Sequence, residues 1–339
     1  MPKHDKWVLN GSYGDKSLIR NHLAYEMAGQ SMEYAPRTRY LEVYLNESGD
    51  EKISFDKHYV GVYLLTEKIE RNINRINIDK NKDAYEDISF IISRDKVKDG
   101  DSISSTQWGN LEDDFIVDRS GRIRLKTVIT TSYPGPGKRT EKDEDIILDF
   151  LNRFEYTLSS RDFTNKKTGY KSFIDLDSFV NFAIINDIFK NIDGGDASTY
   201  FYKDIGGLMK AGPVWDFDLT LGNTPDKETN SPRGFIMVDT IWFERLFQDE
   251  HFADRYSKIL YPYHRSDKWK TPKIYNMIDG AVEELGPAAN RNSKRWYYDY
   301  GEDEYNEEIK DIKEFLKDRL AWMDDNVHVI KRLLENAID

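Results

Sequence analysis

The chain has 339 residues, 39% of them hydrophobic and 13% aromatic, with a formal net charge of −12 and no cysteine. That apolar content supports a sizeable core, and the length suits one large domain or two lobes. The negative charge disfavours DNA or RNA as a partner and suits basic partners or metal-bridged anions, while the missing cysteines exclude disulfides, thiolate zinc sites and cysteine nucleophiles.

The first predicted element is a helix over "GDKSLIRNHLAYEMAG". Leu18, Ile19, His22, Leu23 and Met27 fall at helical spacing, Asp15 or Ser17 can cap its start, and Gly29 stands near its end. "RYLEVYLN" alternates, with Leu41, Val43 and Leu45 on one face, and reads as a strand. "HYVGVYLLTEKIE" reads as a second strand, giving an antiparallel pair over residues 38–70. Trp7, Tyr13 and Tyr34 read as core residues in preference to a stacking platform.

Residues 71–140 are polar, with strand-like pieces in "ISFIIS" and "RIRLKTV". "SYPGPGKR" (132–139) is a loop that lacks both GxGxxG and GxxxxGK[ST] spacing, so it is not a glycine-rich phosphate loop of either kind. From Glu141 the pattern turns helical: one helix carries Ile146, Ile147, Phe150, Leu151 and Phe154, and a second runs from about Asp175 to Asn191. "STYFYKD", a Gly206-Gly207 turn and "LMKAGPVW" make a hairpin. The rest is mainly helical, ending in a long amphipathic segment from Asn306. No apolar run approaches the roughly 18 residues of a membrane span. The six histidines form no HxH or HExxH, and GxSxG is absent, so neither a zinc hydrolase nor a nucleophile elbow is indicated.

The chemistry centres on "GPVWDFDLTLGN", where Asp216 and Asp218 flank Phe217 between apolar runs. Unpaired buried carboxylates are costly, so the pair is either a surface turn or the seat of a cation. Asp193 precedes the hairpin and Asp216 follows it, and a hairpin returns the chain to its start. That order allows the two carboxylates to converge, as in kinases, where one aspartate orients the acceptor hydroxyl and another holds magnesium. Both aspartates of an Asp-x-Asp can reach one metal where the backbone is bent. Either residue can equally serve a turn, and Asp196 competes within the same "DGGD" loop.

"KNIDGGDASTYFYKD" followed by "GLMKAGPVWDFDLTLGN" resembles the signature of the CotH kinase family, the spore coat protein H group. "KWVLNGSYGDKSLIRNHLAYEMA", "YAPRTRYLEVYLN" and "YVGVYLLTEKIERN" resemble further blocks of that family in its order, from Trp7 to about Asn223. The resemblance implies an atypical, two-lobed, protein-kinase-like α+β fold. A small strand-containing N-lobe would occupy residues 1–140 and a mainly helical C-lobe residues 141–339. It implies phosphorylation of Ser/Thr hydroxyls on coat proteins with ATP and Mg²⁺ or Mn²⁺, in the mother-cell cytoplasm and the spore coat. Asp193 would be the catalytic-loop aspartate and Asp216 the metal ligand, with Asp218 assisting and Asn223 behind it. Where the kinase pattern has asparagine five residues after the catalytic aspartate, this chain has Ser198; Asp218 can substitute as a second ligand.

Glu67 and Lys68 would fall at the connection between lobes, near the nucleotide, with Lys68 reaching a phosphate; the other reading is a solvated strand edge. Arg20 would face the cleft or fix a helix end. Other family members usually carry strands upstream of the Trp7 block, where this chain begins; those strands are either absent or removed from this sequence, and if absent the nucleotide lobe would be incomplete and its activity weak or lost. Basic, Ser-rich substrates suit the charge balance. The alternatives are a non-catalytic coat-assembly or surface-binding protein on the same fold, and a metal-independent glycoside hydrolase using two carboxylates.

Overall fold

The computed structural model describes residues 1–82, 86–96, 115–117, 123–125, 127–224, 229–265, 270–296, 304–328 and 330. The predicted end of the last helix, beyond Ile330, lies outside them.

Strands β1 (Trp7–Gly11), β2 (Thr38–Tyr44) and β3 (Tyr59–Glu67) form an antiparallel sheet in the order β1-β3-β2. The β2–β3 pair is the one predicted from alternation, but its inner face is the opposite one. Leu41 is 39% exposed, whereas Tyr40 packs on the core beside its cross-strand neighbour Leu64. Helix α1 (Arg20–Ala28) lies on that side, with the His22 ring 5.1 Å from the Tyr40 ring. The larger aromatic thus wins the covered face, and Leu41 sits on the open one. Helix α1 also starts later than its apolar spacing suggests: Leu18 has φ +64°, a left-handed conformation that a helix cannot continue through. Tyr13, expected in the core, is 67% exposed.

A short helix, α2 (Phe55–His58), leads into β3. Strands β4 (Phe90–Lys96), β5 (Phe115–Val117), β6 (Ile123–Leu125) and β7 (Thr127–Tyr133) follow, with β5 and β6 paired on their own. The hairpin of β8 (Thr199–Lys203) and β9 (Lys210–Ala211) joins β4 and β7 in a four-stranded antiparallel sheet ordered β7-β4-β8-β9. Its register sets Arg94 opposite Thr199, which brings the end of β4 beside the loop that enters β8.

Helix α3 (Glu141–Ser159) begins with a capping box: the Asp143 amide donates to the Thr140 hydroxyl at 3.2 Å, and the Thr140 amide donates to the Asp143 carboxylate at 2.7 Å. Helix α4 (Leu176–Phe189) is buried along most of its circumference, from Phe179 to Phe189. A helix apolar on all sides belongs at a core centre. Against it pack α5 (Phe243–Leu246), α6 (Glu250–Arg265) and α9 (Glu304–Asn326), while α7 (Thr271–Leu285) packs on α9 and α1, and α8 (Pro287–Arg295) on β3. One main apolar core runs from Leu18 to Ile330. The architecture is α+β and consistent with the two-lobed kinase-like expectation.

Candidate active site

The end of α4 is fixed first. Arg319 of α9, fully buried, donates through Nε to the Asp187 carbonyl at 2.8 Å and through Nη1 to the carbonyls of Pro232 and Gly234 at 2.8 and 2.6 Å. The Asp187 carboxylate accepts from the Ile236 amide at 2.7 Å and the Tyr256 hydroxyl at 2.8 Å. Burial raises the Asp187 pKa, against the nearby Arg319 charge. Lys190 then closes the helix in the left-handed region at φ +50°. The Asn191 side chain donates to Asn186 Oδ1 at 2.9 Å and accepts the Asp193 amide at 3.2 Å. Asp193 thus stands one tight turn beyond an immobilised helix end.

The loop from Asp193 to Ser198 is equally constrained. The Asp193 carbonyl accepts the amides of Asp196 and Ala197 at 3.1 and 2.8 Å. Gly195 has φ +83°, and a Cβ there would lie 2.7 Å from Thr240 Oγ1, so conformation and space both require glycine. Asp196 is a buried turn residue that accepts the Ile241 amide at 3.4 Å and faces Arg94 at 3.9 Å. It is inside the loop's frame, whereas the Asp193 side chain keeps 28% exposure.

The Asp-Phe-Asp segment is held by its middle residue. Phe217 is buried, edge-on to Phe189 at 5.4 Å, and its amide donates to Asn21 Oδ1 at 2.6 Å. The Asp216 amide donates to the Tyr25 hydroxyl at 3.2 Å, and Tyr25 stacks on Trp215 with ring centroids 6.0 Å apart. Helix α1 therefore grips the segment through Asn21 and Tyr25. Asp216 itself has φ +62°, a left-handed bend that aspartate tolerates better than most residues. The backbone is bent there, as a shared use of both carboxylates requires.

The carboxylates repel one another. The Asp216 pKa is raised to about 6, first by lost hydration, then by the charges of Asp218 and Asp193, with Ser198 opposing. Ser198 donates to Asp216 Oδ2 at 3.4 Å. Asp216 nevertheless keeps an exposed side, so the group opens to solvent. Asp218 is also raised, by lost hydration and by the charges of Asp15 and Asp193. It approaches the loop before α1 closely: a Cβ on Gly14 would lie 3.3 Å from Asp218 Oδ2. The Tyr200 hydroxyl is pushed up to about 12 by burial and by Asp95 and Asp216.

One cation reaches this group that its sequence position does not announce. Lys96 Nζ, at the end of β4, stands 3.5 Å from Asp193 Oδ2. Asn21 and Tyr25, which hold the Asp216–Phe217 amides, are likewise invisible in motif spacing.

The other expected site residues lie elsewhere or are engaged. Arg20 is 1% exposed. It pairs with Asp15 at 2.6 Å and Glu308 at 2.7 Å, and its Nε donates to the Thr220 carbonyl at 2.9 Å. Burial would lower its pKa, but the two carboxylates hold it above the ordinary value. It clamps the turn after Asp218 and does not point at the carboxylate group. Glu67 is 1% exposed and accepts from Arg37 at 2.8 and 3.0 Å and from Tyr34 at 3.2 Å. It is neither a solvated edge nor an open ligand. Lys68 is exposed, and its carbonyl accepts from Arg75 at 2.8 Å. The Asn223 side chain donates to the carbonyls of Gly14 and Asp218, both at 2.8 Å, which ties the two loops together.

Among the described residues no group of three or more histidine, aspartate or glutamate side chains is placed to hold a metal ion. Magnesium does not need one: it commonly takes one or two carboxylates and fills the rest with water and phosphate. Clustered, mutually repelling carboxylates open to solvent fit a divalent cation, and Asp216 with Asp218 are the residues that would hold it. Among the described residues no helix is long and apolar enough to cross a membrane.

No curated protein matches the chain. Residues 1–323, nearly the whole length, match the family described as CotH kinase protein, and the chain belongs to that kinase-like, spore-coat-associated family.

Proposed function

We propose that the chain is an ATP- and divalent-metal-dependent protein kinase acting on Ser/Thr hydroxyls of basic, Ser-rich coat proteins. The observation that carries this reading is the electrostatic grouping of Asp193, Asp216 and Asp218 around a bent backbone, with the Asp216 pKa raised to about 6. Metal-bound ATP would supply the phosphoryl group and neutralise the carboxylates. Asp216 and Asp218 would hold the metal. Asp193 would orient the acceptor hydroxyl and take its proton, and Lys96 would attract the phosphoryl oxygens beside it. Lys68, exposed after β3, would stay available to the nucleotide, while Glu67 and Arg20 would act by holding the cleft's framework. The boundary near residue 140 would separate nucleotide and substrate sides, and the protein would act in the mother-cell cytoplasm and on the coat.

A non-catalytic coat-assembly role on this fold is favoured by one observation, Ser198 standing where the kinase pattern has the asparagine that holds a second metal. Thermal unfolding with ATP and Mg²⁺ separates the two. A kinase gives a metal-dependent rise in Tm that Asp216→Asn abolishes; an assembly protein gives no shift.

A further inference from the structure

A cavity of about 620 Å³ opens between the segment after β3 and the loop ahead of α3. Lys6, Arg71, Lys80, Lys82 and Lys138 line it, and it shares no residue with the carboxylate group above. Its acidic lining residues are already engaged. Glu70 faces Arg75 at 2.9 Å, His4 at 3.0 Å and Lys6 at 3.2 Å. Asp143 accepts from the Thr140 amide and hydroxyl at 2.7 and 2.8 Å in the cap of α3. Five cations against two carboxylates, one of which already pairs with Lys6, leave this pocket net positive in a chain of net charge −12.

Its walls are built. The Arg71 guanidinium lies over the Tyr133 ring at 5.7 Å, and its Nε is buried with no hydrogen-bond partner among the described residues. A buried guanidinium N–H without an acceptor is unfavourable, and the charge of the same guanidinium, which lines the cavity, favours an anion beside it. Lys80 and Lys82 flank Asn81, whose amide donates to the Tyr133 hydroxyl at 3.2 Å and whose side chain pairs both ways with the Ser89 backbone at 2.9 and 3.0 Å. The amides of Lys138 and Arg139 donate to the Gly135 carbonyl at 2.9 and 3.0 Å, closing the facing turn.

We infer that this cavity is a second anion site, for a phosphate dianion. The planar guanidinium fork matches two phosphate oxygens, and the lysines add point charges around it. A single carboxylate would leave most of that charge unanswered. The phosphate can be free or borne on a phosphorylated serine of a protein. The site stands whether or not the chain is a kinase.

The test is calorimetric titration of the full chain, in EDTA at low ionic strength, with inorganic phosphate, a phosphoserine peptide and the same peptide unphosphorylated. Saturable binding of phosphate or phosphopeptide is expected, with the unphosphorylated peptide silent. Arg71→Ala should weaken binding about tenfold or more, and Asp216→Asn should leave it unchanged. Lys80→Glu with Lys82→Glu, which leaves the Arg71–Tyr133 contact alone, should weaken it as well. Tighter binding of the phosphopeptide than of inorganic phosphate assigns the protein-borne source; equal binding assigns free phosphate. No saturable binding, binding kept in both pocket variants, or binding lost only in Asp216→Asn overturns the inference.

Discussion

Lys96 and Asp193 are 97 residues apart in the chain, yet Lys96 Nζ sits 3.5 Å from the Asp193 carboxylate. The contact follows from the β4–β8 register, which places Arg94 opposite Thr199. Removing the charge with Lys96→Met should leave the fold intact, because the side chain is 44% exposed. Phosphoryl transfer should fall at least roughly tenfold in kcat. Metal binding at Asp216 should persist, since Lys96 touches a different carboxylate. Steady-state kinetics with a metal titration checks both.

Asp216→Asn removes one of three mutually repelling charges at a position with φ +62° that asparagine also accepts. In EDTA the variant should unfold at the same temperature as the wild type or higher. With Mg²⁺ or Mn²⁺ it should lose the stabilisation that the wild type gains. Differential scanning calorimetry with and without metal reads both effects. A variant less stable in EDTA than the wild type would assign Asp216 a structural role.

Arg20 is buried between Asp15 and Glu308. Arg20→Met should destabilise the protein by about 3–5 kcal/mol, because it leaves a buried carboxylate unpaired. Urea unfolding measures this. Unchanged stability with a raised KM for ATP would instead make Arg20 a phosphate ligand.

Asp249 accepts from the Tyr170 hydroxyl at 2.6 Å and from Lys171 at 2.9 Å. Burial pushes its pKa up, but Tyr170, Lys171 and the His251 amide outweigh this and hold it below the ordinary value. A carboxylate depressed in the folded state stabilises above its unfolded pKa, and that stability is lost as pH falls through the folded value. The gap between wild type and Tyr170→Phe should therefore be full above about pH 4 and close below it. Unfolding measured from pH 7 down to pH 2 shows whether it does.

Much of the helical part was legible because local signals agreed. The apolar spacing from Glu141 marks α3, and Asp175 marks the start of α4, its side chain accepting the Ser178 amide at 2.8 Å. The Gly206-Gly207 turn marks the hairpin. Asp216 and Asp218 stood out because carboxylates in an apolar setting need a reason, and Asp193 because it precedes the hairpin that Asp216 follows. The rest depends on partners far along the chain. Alternation alone could not tell which face of β2 the core would take, since α1 decides it. Glu67 looked exposed by type, and only Arg37 and Tyr34 make its burial tolerable. Lys96 reaches Asp193 only through sheet register, which no local pattern encodes.

The central claim is metal-dependent phosphoryl transfer through Asp193 and Asp216. Its most direct test is transfer of labelled phosphate from ATP to a basic, Ser-rich peptide by the wild type, Asp193→Asn and Asp216→Asn. The wild type should incorporate label only with Mg²⁺ or Mn²⁺, and each variant should lose roughly a hundredfold or more while still folded. Incorporation that survives EDTA, or that either variant retains in full, would contradict the account.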